Sequence, residues 1–314
     1  ALGEAGVAPM SDFLTLARNA PADADPIVVT TLADQLSALN GLYGERNGAA
    51  FRSFARGRLA PIAERLGWDA KAGEHDNVAA ARRAVLAALG QMGDPAVVAE
   101  ARRRFERAQA DPSTLSGAGR RTVLDIVSAN ADAAAWEAIL AQAKASKDIT
   151  DRGRLYSYLG MARDPALADR ALALALSGKV TPSEAPGIIA AVAEGHPEKA
   201  FDFAMANRAK VDELLEPTSR TSYYADLAET SRDPAMLQKL EKLAATVPPS
   251  ARGEVEKAEG AVRYRADVIA KRVPEMDRWL AAPATRAAVP ARPAARKAPP
   301  PAPRAPRQAW GTPS

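Results

Sequence analysis

Apolar residues recur along this chain at intervals of three and four, the spacing that places them on one face of an α-helix. Val28, Val29, Leu32, Leu36 and Leu39 form one such stripe, and Phe51, Phe54, Leu59, Ile62 and Leu66 another. Strict alternation, the mark of a half-buried strand, does not gather into runs bounded by turns. A short polar signal breaks the pattern at regular places. Asp94-Pro95-Ala96-Val97, Asp164-Pro165-Ala166-Leu167 and Asp233-Pro234-Ala235-Met236 are near-copies, and Asp132-Ala133-Ala134 and His196-Pro197-Glu198 fill the gaps between them. An Asp at the N-cap accepts bonds from backbone N–H groups, and a Pro at N1 forfeits no helical bond, so each copy reads as a helix start. Positions 94, 132, 164, 196 and 233 lie 38, 32, 32 and 37 residues apart. That is the length of one helix-turn-helix unit in a repeat array.

The pattern predicts an all-α chain, a HEAT- or armadillo-like α-solenoid of antiparallel helix pairs over residues 1–281. Residues 1–7 read as the end of a helix closing at Gly6. A helix over 9–18 takes Ser11 as its cap, with Phe13, Leu14 and Leu16 inward. Asp25-Pro26 opens a helix to about Leu42, ended by Gly44. The next, over 47–66, should kink at Pro61 and stop at Gly67-Trp68. Residues 69–75, Asp-Ala-Lys-Ala-Gly-Glu-His, form a polar loop and a candidate joint. Paired helices are then predicted at 76–91, 95–109, 118–130, 133–145, 149–162, 165–177, 182–194 and 197–215. Further members follow at 219–231, 234–246 and 250–272, with a last short helix over 274–281.

After Ala281 the composition changes. Nine of the 24 prolines fall in the last 34 residues, so 282–314 is expected to be a disordered, partly polyproline-II tail. It reads either as a tether to a docking partner or anionic surface, or as an extension without selected function. The tail also explains the net charge of +4: it holds six basic residues and no acid, leaving −2 for the remainder. Nucleic-acid binding needs a basic face on the folded part, and charges there are mixed along each helix, so no nucleic-acid partner is expected. There is no cysteine, which removes disulfides and thiolate chemistry and leaves the compartment, cytoplasmic or periplasmic, open. No apolar run approaches the roughly 18 residues of a membrane span. The N-terminus has neither the basic nor the apolar region of a signal peptide.

Catalytic constellations are not evident. His75 and His196 stand far apart, and neither belongs to a His-Glu-x-x-His helix, so a zinc site in this chain is unsupported. No Gly-x-Ser-x-Gly elbow, Walker loop or dinucleotide fingerprint follows a strand. Ser116-Gly117-Ala118-Gly119 reads as the turn before a helix, and Asp202 and Glu213 as solvated faces. Arginine is the residue to follow. Arg82-Arg83, Arg120-Arg121 and Arg152/Arg154 fall near the starts of successive first helices, and equivalent positions in a solenoid align along one surface. Such a row can receive peptide carboxylates through forked hydrogen bonds. The competing reading makes these arginines inter-repeat ion pairs with Asp94, Asp132, Asp164 and their neighbours. Tyr156, Tyr158, Tyr223 and Tyr224 read as core or groove lining.

The run from Asn77 to Asp94, with Arg82-Arg83, Ala88-Leu89-Gly90 and Gly93-Asp94, resembles the helical C-terminal domain of the gluzincin zinc aminopeptidases, the puromycin-sensitive and endoplasmic-reticulum group. Ala101 to Phe105, Trp136-Glu137-Ala138-Ile139-Leu140, Leu172 to Ser177 and Ala200-Phe201-Asp202-Phe203 with Asn207 agree in order and spacing, over about residues 1–280. The resemblance implies a non-catalytic domain that caps the active-site cavity of a four-domain enzyme releasing N-terminal amino acids from peptides. Its implied partners are the catalytic domain and the peptide substrate. Zinc would belong to the parent enzyme, since the His-Glu-x-x-His helix and the Gly-x-Met-Glu-Asn loop are absent here. Arg82 matches the family's arginine in the quoted run. Arg82, Arg121 and Arg154 are the candidate peptide contacts. The missing upstream domains and the Pro/Arg tail suggest a gene fragment. A stand-alone helical scaffold for a protein partner is the alternative, and an independent hydrolase a remote third. The capping reading expects an apolar patch near the N-terminal half, where a catalytic domain would dock.

Overall fold

Asp residues start the helices as the sequence predicts. Asp94 Oδ1 accepts from the backbone N–H groups of Ala96 and Val97 at 3.1 Å, Asp164 Oδ1 from Ala166 at 2.8 Å, and Asp132 Oδ1 from Ala135 at 2.9 Å. Asp25 and Asp148 do the same for two further helices. The computed structural model describes residues 8–44 and 48–282. The expected helix end at Gly6 and the expected disorder of the tail lie outside them.

The described residues form helices and no strand. They are α1 (Met10–Asn19), α2 (Pro26–Tyr43), α3 (Ala49–Leu66), α4 (Asp76–Gln91), α5 (Pro95–Ala110), α6 (Gly117–Ala129), α7 (Ala133–Ala145) and α8 (Ile149–Gly160). Then come α9 (Pro165–Ala175), α10 (Ala185–Gly195), α11 (Pro197–Ala206), α12 (Arg208–Glu213), α13 (Arg220–Glu229), α14 (Met236–Ala244) and α15 (Arg252–Ala281). The arrangement is solenoid-like. One row runs α2, α4, α6, α8, α10, α13 and α15, each packed on the next, while α3, α5, α7, α9, α11 and α14 pack outside it. The core is continuous from Leu14 and Phe51 through Leu89, Ile126, Leu159 and Ile189 to Tyr224 and Met276. The loop at 69–75 is stitched to its neighbours, Glu74 by Arg82 and Asp69 by Arg104.

Unlike an open solenoid, this row closes. α15 packs on α13 and α14 and also reaches α1, α2 and α3. The seam is specific: the Ser11 backbone N–H donates to Glu275 Oε1 at 3.0 Å, Tyr43 Oη to Asp277 Oδ1 at 3.0 Å, and Trp279 Nε1 to Thr15 Oγ1 at 3.1 Å. Trp279 also meets the edge of Phe54, and the Arg18 guanidinium lies 3.7 Å over its ring.

Several local expectations change. Ser11 does not cap α1; Pro9 occupies the N-cap, and Ser11 is held by Glu275 instead. Leu16 and Val28 point outward, 71% and 52% exposed: Met10, Leu14 and Ala17 use up the buried stripe of the short α1, and Val29 takes the inward position at the start of α2. The helix predicted over 197–215 breaks at Asn207, whose Nδ2 donates to the Phe203 carbonyl and competes with the helical bond. The predicted break before Pro274 does not occur, because the seam holds the last turns of α15 in place and Met276 is buried there.

Candidate functional site

The inner helices run parallel enough that one set of their ends meets. Asn40, Gly41 and Gly44 at the end of α2, Gln91 and Met92 at that of α4, Ala129 of α6, Met161 after α8, Gly195 of α10 and Arg232 beyond α13 line one cavity of about 710 Å³. Helix C-termini carry partial negative charge and unpaired carbonyls, so this rim calls for cationic donors. Arginine supplies them. Arg163 donates to the carbonyls of Gly90 and Gln91 and to Asn130 Oδ1, Arg52 to Gly44 O and Asn40 Oδ1, and Arg232 to Gly41 O. Arg163 and Arg232 each precede an Asp-Pro helix start. The Arg-Asp-Pro triplet was therefore a sequence signal for this rim, and the reading of the Asp-Pro motif alone missed it.

Two glycines let the inner helices approach. A Cβ on Gly90 would come 2.5 Å from Ile126 Cγ1, and one on Gly160 would come 2.7 Å from the Ile188 carbonyl oxygen.

Toward the helix N-termini, the same faces carry the arginine row. Arg83 lies one turn before the lining residue Ala87, Arg121 one turn before Asp125, and Arg154 two turns before Met161. Residues i, i+4 and i+7 share a helix face, so all three face the concavity. Each is exposed and forms no ion pair among the described residues. Beside them, Asp125 meets Tyr158 across α6 and α8. Burial pushes the Asp125 carboxyl up, against the opposing pull of the Tyr158 hydroxyl and Arg121.

The structure removes Arg82 from this row. Its side chain is buried, with Nη1 and Nη2 forked onto the Glu74 carboxylate at 2.6 and 2.5 Å and Nε donating to Leu66 O at 3.1 Å. Arg82 turns toward α3 and its loop, and its neighbour Arg83 takes the concave position.

Arg120 and Arg152, the other members of the predicted row, are inter-repeat ion pairs. Arg120 meets Asp151 at 2.5 Å and Arg152 meets Glu184 at 2.6 Å. Their acids follow one period later, rather than being the helix-capping aspartates; among the described residues Asp132 alone of the capping aspartates takes a second role, with Arg102 at 2.7 Å. Lys199–Asp169 and Lys239–Asp202 also join neighbouring repeats, on the outside and with the acid first in sequence, so Asp202 is a paired surface group.

A zinc ion does not fit the described residues, which contain no cluster of three or more His, Asp or Glu side chains able to hold a metal. His75 caps α4, its Nδ1 accepting from the Asn77 backbone N–H at 3.2 Å. The His196 Nε2 lies 3.0 Å from the Ala162 carbonyl oxygen, one period back. Tyr156, Tyr158 and Tyr224 are buried, and Tyr223 donates to Pro186 O at 2.9 Å. No helix among the described residues is long and apolar enough to cross a membrane.

The ordered helix pairs agree with the comparison to known families. A family model described as the ERAP1-like C-terminal domain matches residues 1–263, and the chain belongs to that family, a non-catalytic helical domain of the zinc aminopeptidases.

Proposed function

We propose that this chain caps the active-site cavity of a zinc aminopeptidase and contacts the peptide substrate along its concave face. The observation that carries the proposal is the row Arg83, Arg121 and Arg154, three exposed guanidiniums without ion pairs facing one concavity. Guanidiniums in such a site receive carboxylates, whether the peptide's C-terminus or its acidic side chains. The closed ring supports the steric part of the role, because a wall that returns on itself keeps the spacing of its contacts. Exposed Leu16, Ile27 and Val28 lie on α1 and α2, at the end of the domain where an upstream catalytic domain would dock.

The capping role is tested on the native polypeptide, by immunoblot of source cells with an antibody to residues 76–215. A band several times heavier than 33.0 kDa supports a domain in cis with its catalytic partner. A band near that mass with no associated peptidase points instead to a free-standing scaffold.

A further inference from the structure

The concave cavity holds two carboxylates that form no ion pair among the described residues, with Arg121 one turn from the first of them acting on it only at longer range. They are Asp125 on α6 and Glu194 on α10. The arginines of the same cavity direct donors to helix-end carbonyls: Arg163 to Gly90 and Gln91, Arg52 to Gly44, Arg232 to Gly41. Asp125 is partly buried, with the Tyr158 hydroxyl beside it. Tyr158 and Arg121 offset the cost of burying the Asp125 carboxylate only in part, and a cationic ligand group recovers the remainder. The cavity size suits a long side chain together with a stretch of backbone. Its walls between the carboxylates, Ala87, Ile126, Ala129, Met161 and Ala191, suit the methylene stem of such a side chain.

We propose that Asp125 and Glu194 form a subsite for a basic side chain, the ammonium or guanidinium of a lysine or arginine within the bound peptide. The inference rests on the peptide-contact reading above and adds a preference to it. Arg83, Arg121 and Arg154 take the carboxylates of the peptide, and one turn further along the same helices Asp125 takes its cation. The concave face thus reads both signs of charge in a fixed order.

The test uses the full 314-residue chain and short fluorescein-labelled peptides that differ only at one central position, carrying lysine, arginine, norleucine or glutamate. Fluorescence anisotropy gives Kd for each. The lysine and arginine peptides should bind about tenfold more tightly than the norleucine peptide, with the glutamate peptide weakest. Asp125→Asn should erase the lysine preference and leave the norleucine affinity in place. This variant is expected to fold, because it removes a desolvated charge and keeps an oxygen to accept from Tyr158; a Tm at or above that of the parent chain checks this. Glu194→Gln, at an exposed position, should weaken the preference without altering the fold. Equal affinity for lysine and norleucine peptides overturns the subsite, and if Arg121→Ala still weakens both, the peptide-contact reading survives it. No measurable binding of any peptide overturns both.

Discussion

A rotation of about 100° per helical residue sends Arg82 and Arg83 to different surroundings. Arg82 is enclosed by Glu74 and the Leu66 carbonyl, while Arg83 stands on the concave face with Ala87. The sequence places the doublet in the right helix, although it lies at the middle of α4 rather than near its start. It does not say which member faces inward, because Glu74 lies in an irregular loop that periodicity does not describe. The fork on Glu74 needs a planar guanidinium, so Arg82→Lys keeps the charge and loses one of the parallel bonds and the bond to Leu66. Thermal melts should therefore show a clear fall in Tm for Arg82→Lys and a larger one for Arg82→Ala. Arg83→Ala should stay within about 0.5 kcal/mol of the parent chain. The opposite order would mean that the two side chains have been assigned to the wrong faces.

Helices were the most legible elements. The Asp-Pro signals and the repeat period locate α4 to α9 to within a few residues of their observed ends, because N-cap chemistry is local and the Asp carboxylate needs only the next turn. Contacts between helices were not legible. Gly90 and Gly160 look like ordinary weak points of a helix, yet each marks the place where one inner helix touches the next. At Gly160 the obstruction is the backbone carbonyl of Ile188, which cannot swing aside. Gly160→Ala should thus destabilise the chain by about 1–3 kcal/mol, the range for overpacking a filled interior, although alanine is the better helix former. Chemical denaturation measures it; a neutral or stabilised variant would show that α8 and α10 are less closely packed than described. Pro274 teaches the reverse lesson. A proline is expected to stop a helix, but α15 continues through it because Glu275, Asp277 and Trp279 are tied to α1, α2 and α3 and Met276 is buried between them in sequence.

At the scale of the whole molecule, closure of the ring is the property that the repeat pattern could not announce. It depends on partners more than 230 residues apart, such as Tyr43 with Asp277, and a periodic signal predicts neighbours one repeat away. Closure should also be the acid-sensitive part of the fold. Burial alone would raise the Glu275 carboxyl, but the Ser11 backbone N–H and Arg272 outweigh it and hold the group below its ordinary value of 4.5. Its folded value is thus the lower one, so its contribution is fully present above about 4.5 and is lost as pH falls through the folded value. Hydrogen exchange between pH 7 and 3, corrected for intrinsic rates, should show amides of α1 losing protection before those of α6. Simultaneous loss in both helices would argue that the seam does not open first. A closed wall that carries Arg83, Arg121 and Arg154 on the helix faces leading to its cavity matters only if a peptide occupies it. The most direct measurement is therefore isothermal titration of the full chain, and of its Arg83→Ala/Arg121→Ala/Arg154→Ala variant, with a peptide bearing a free C-terminal carboxylate and acidic side chains. The account predicts saturable binding by the parent chain, weakened at least about tenfold in the triple variant while Tm holds. Equal binding by both chains would contradict it.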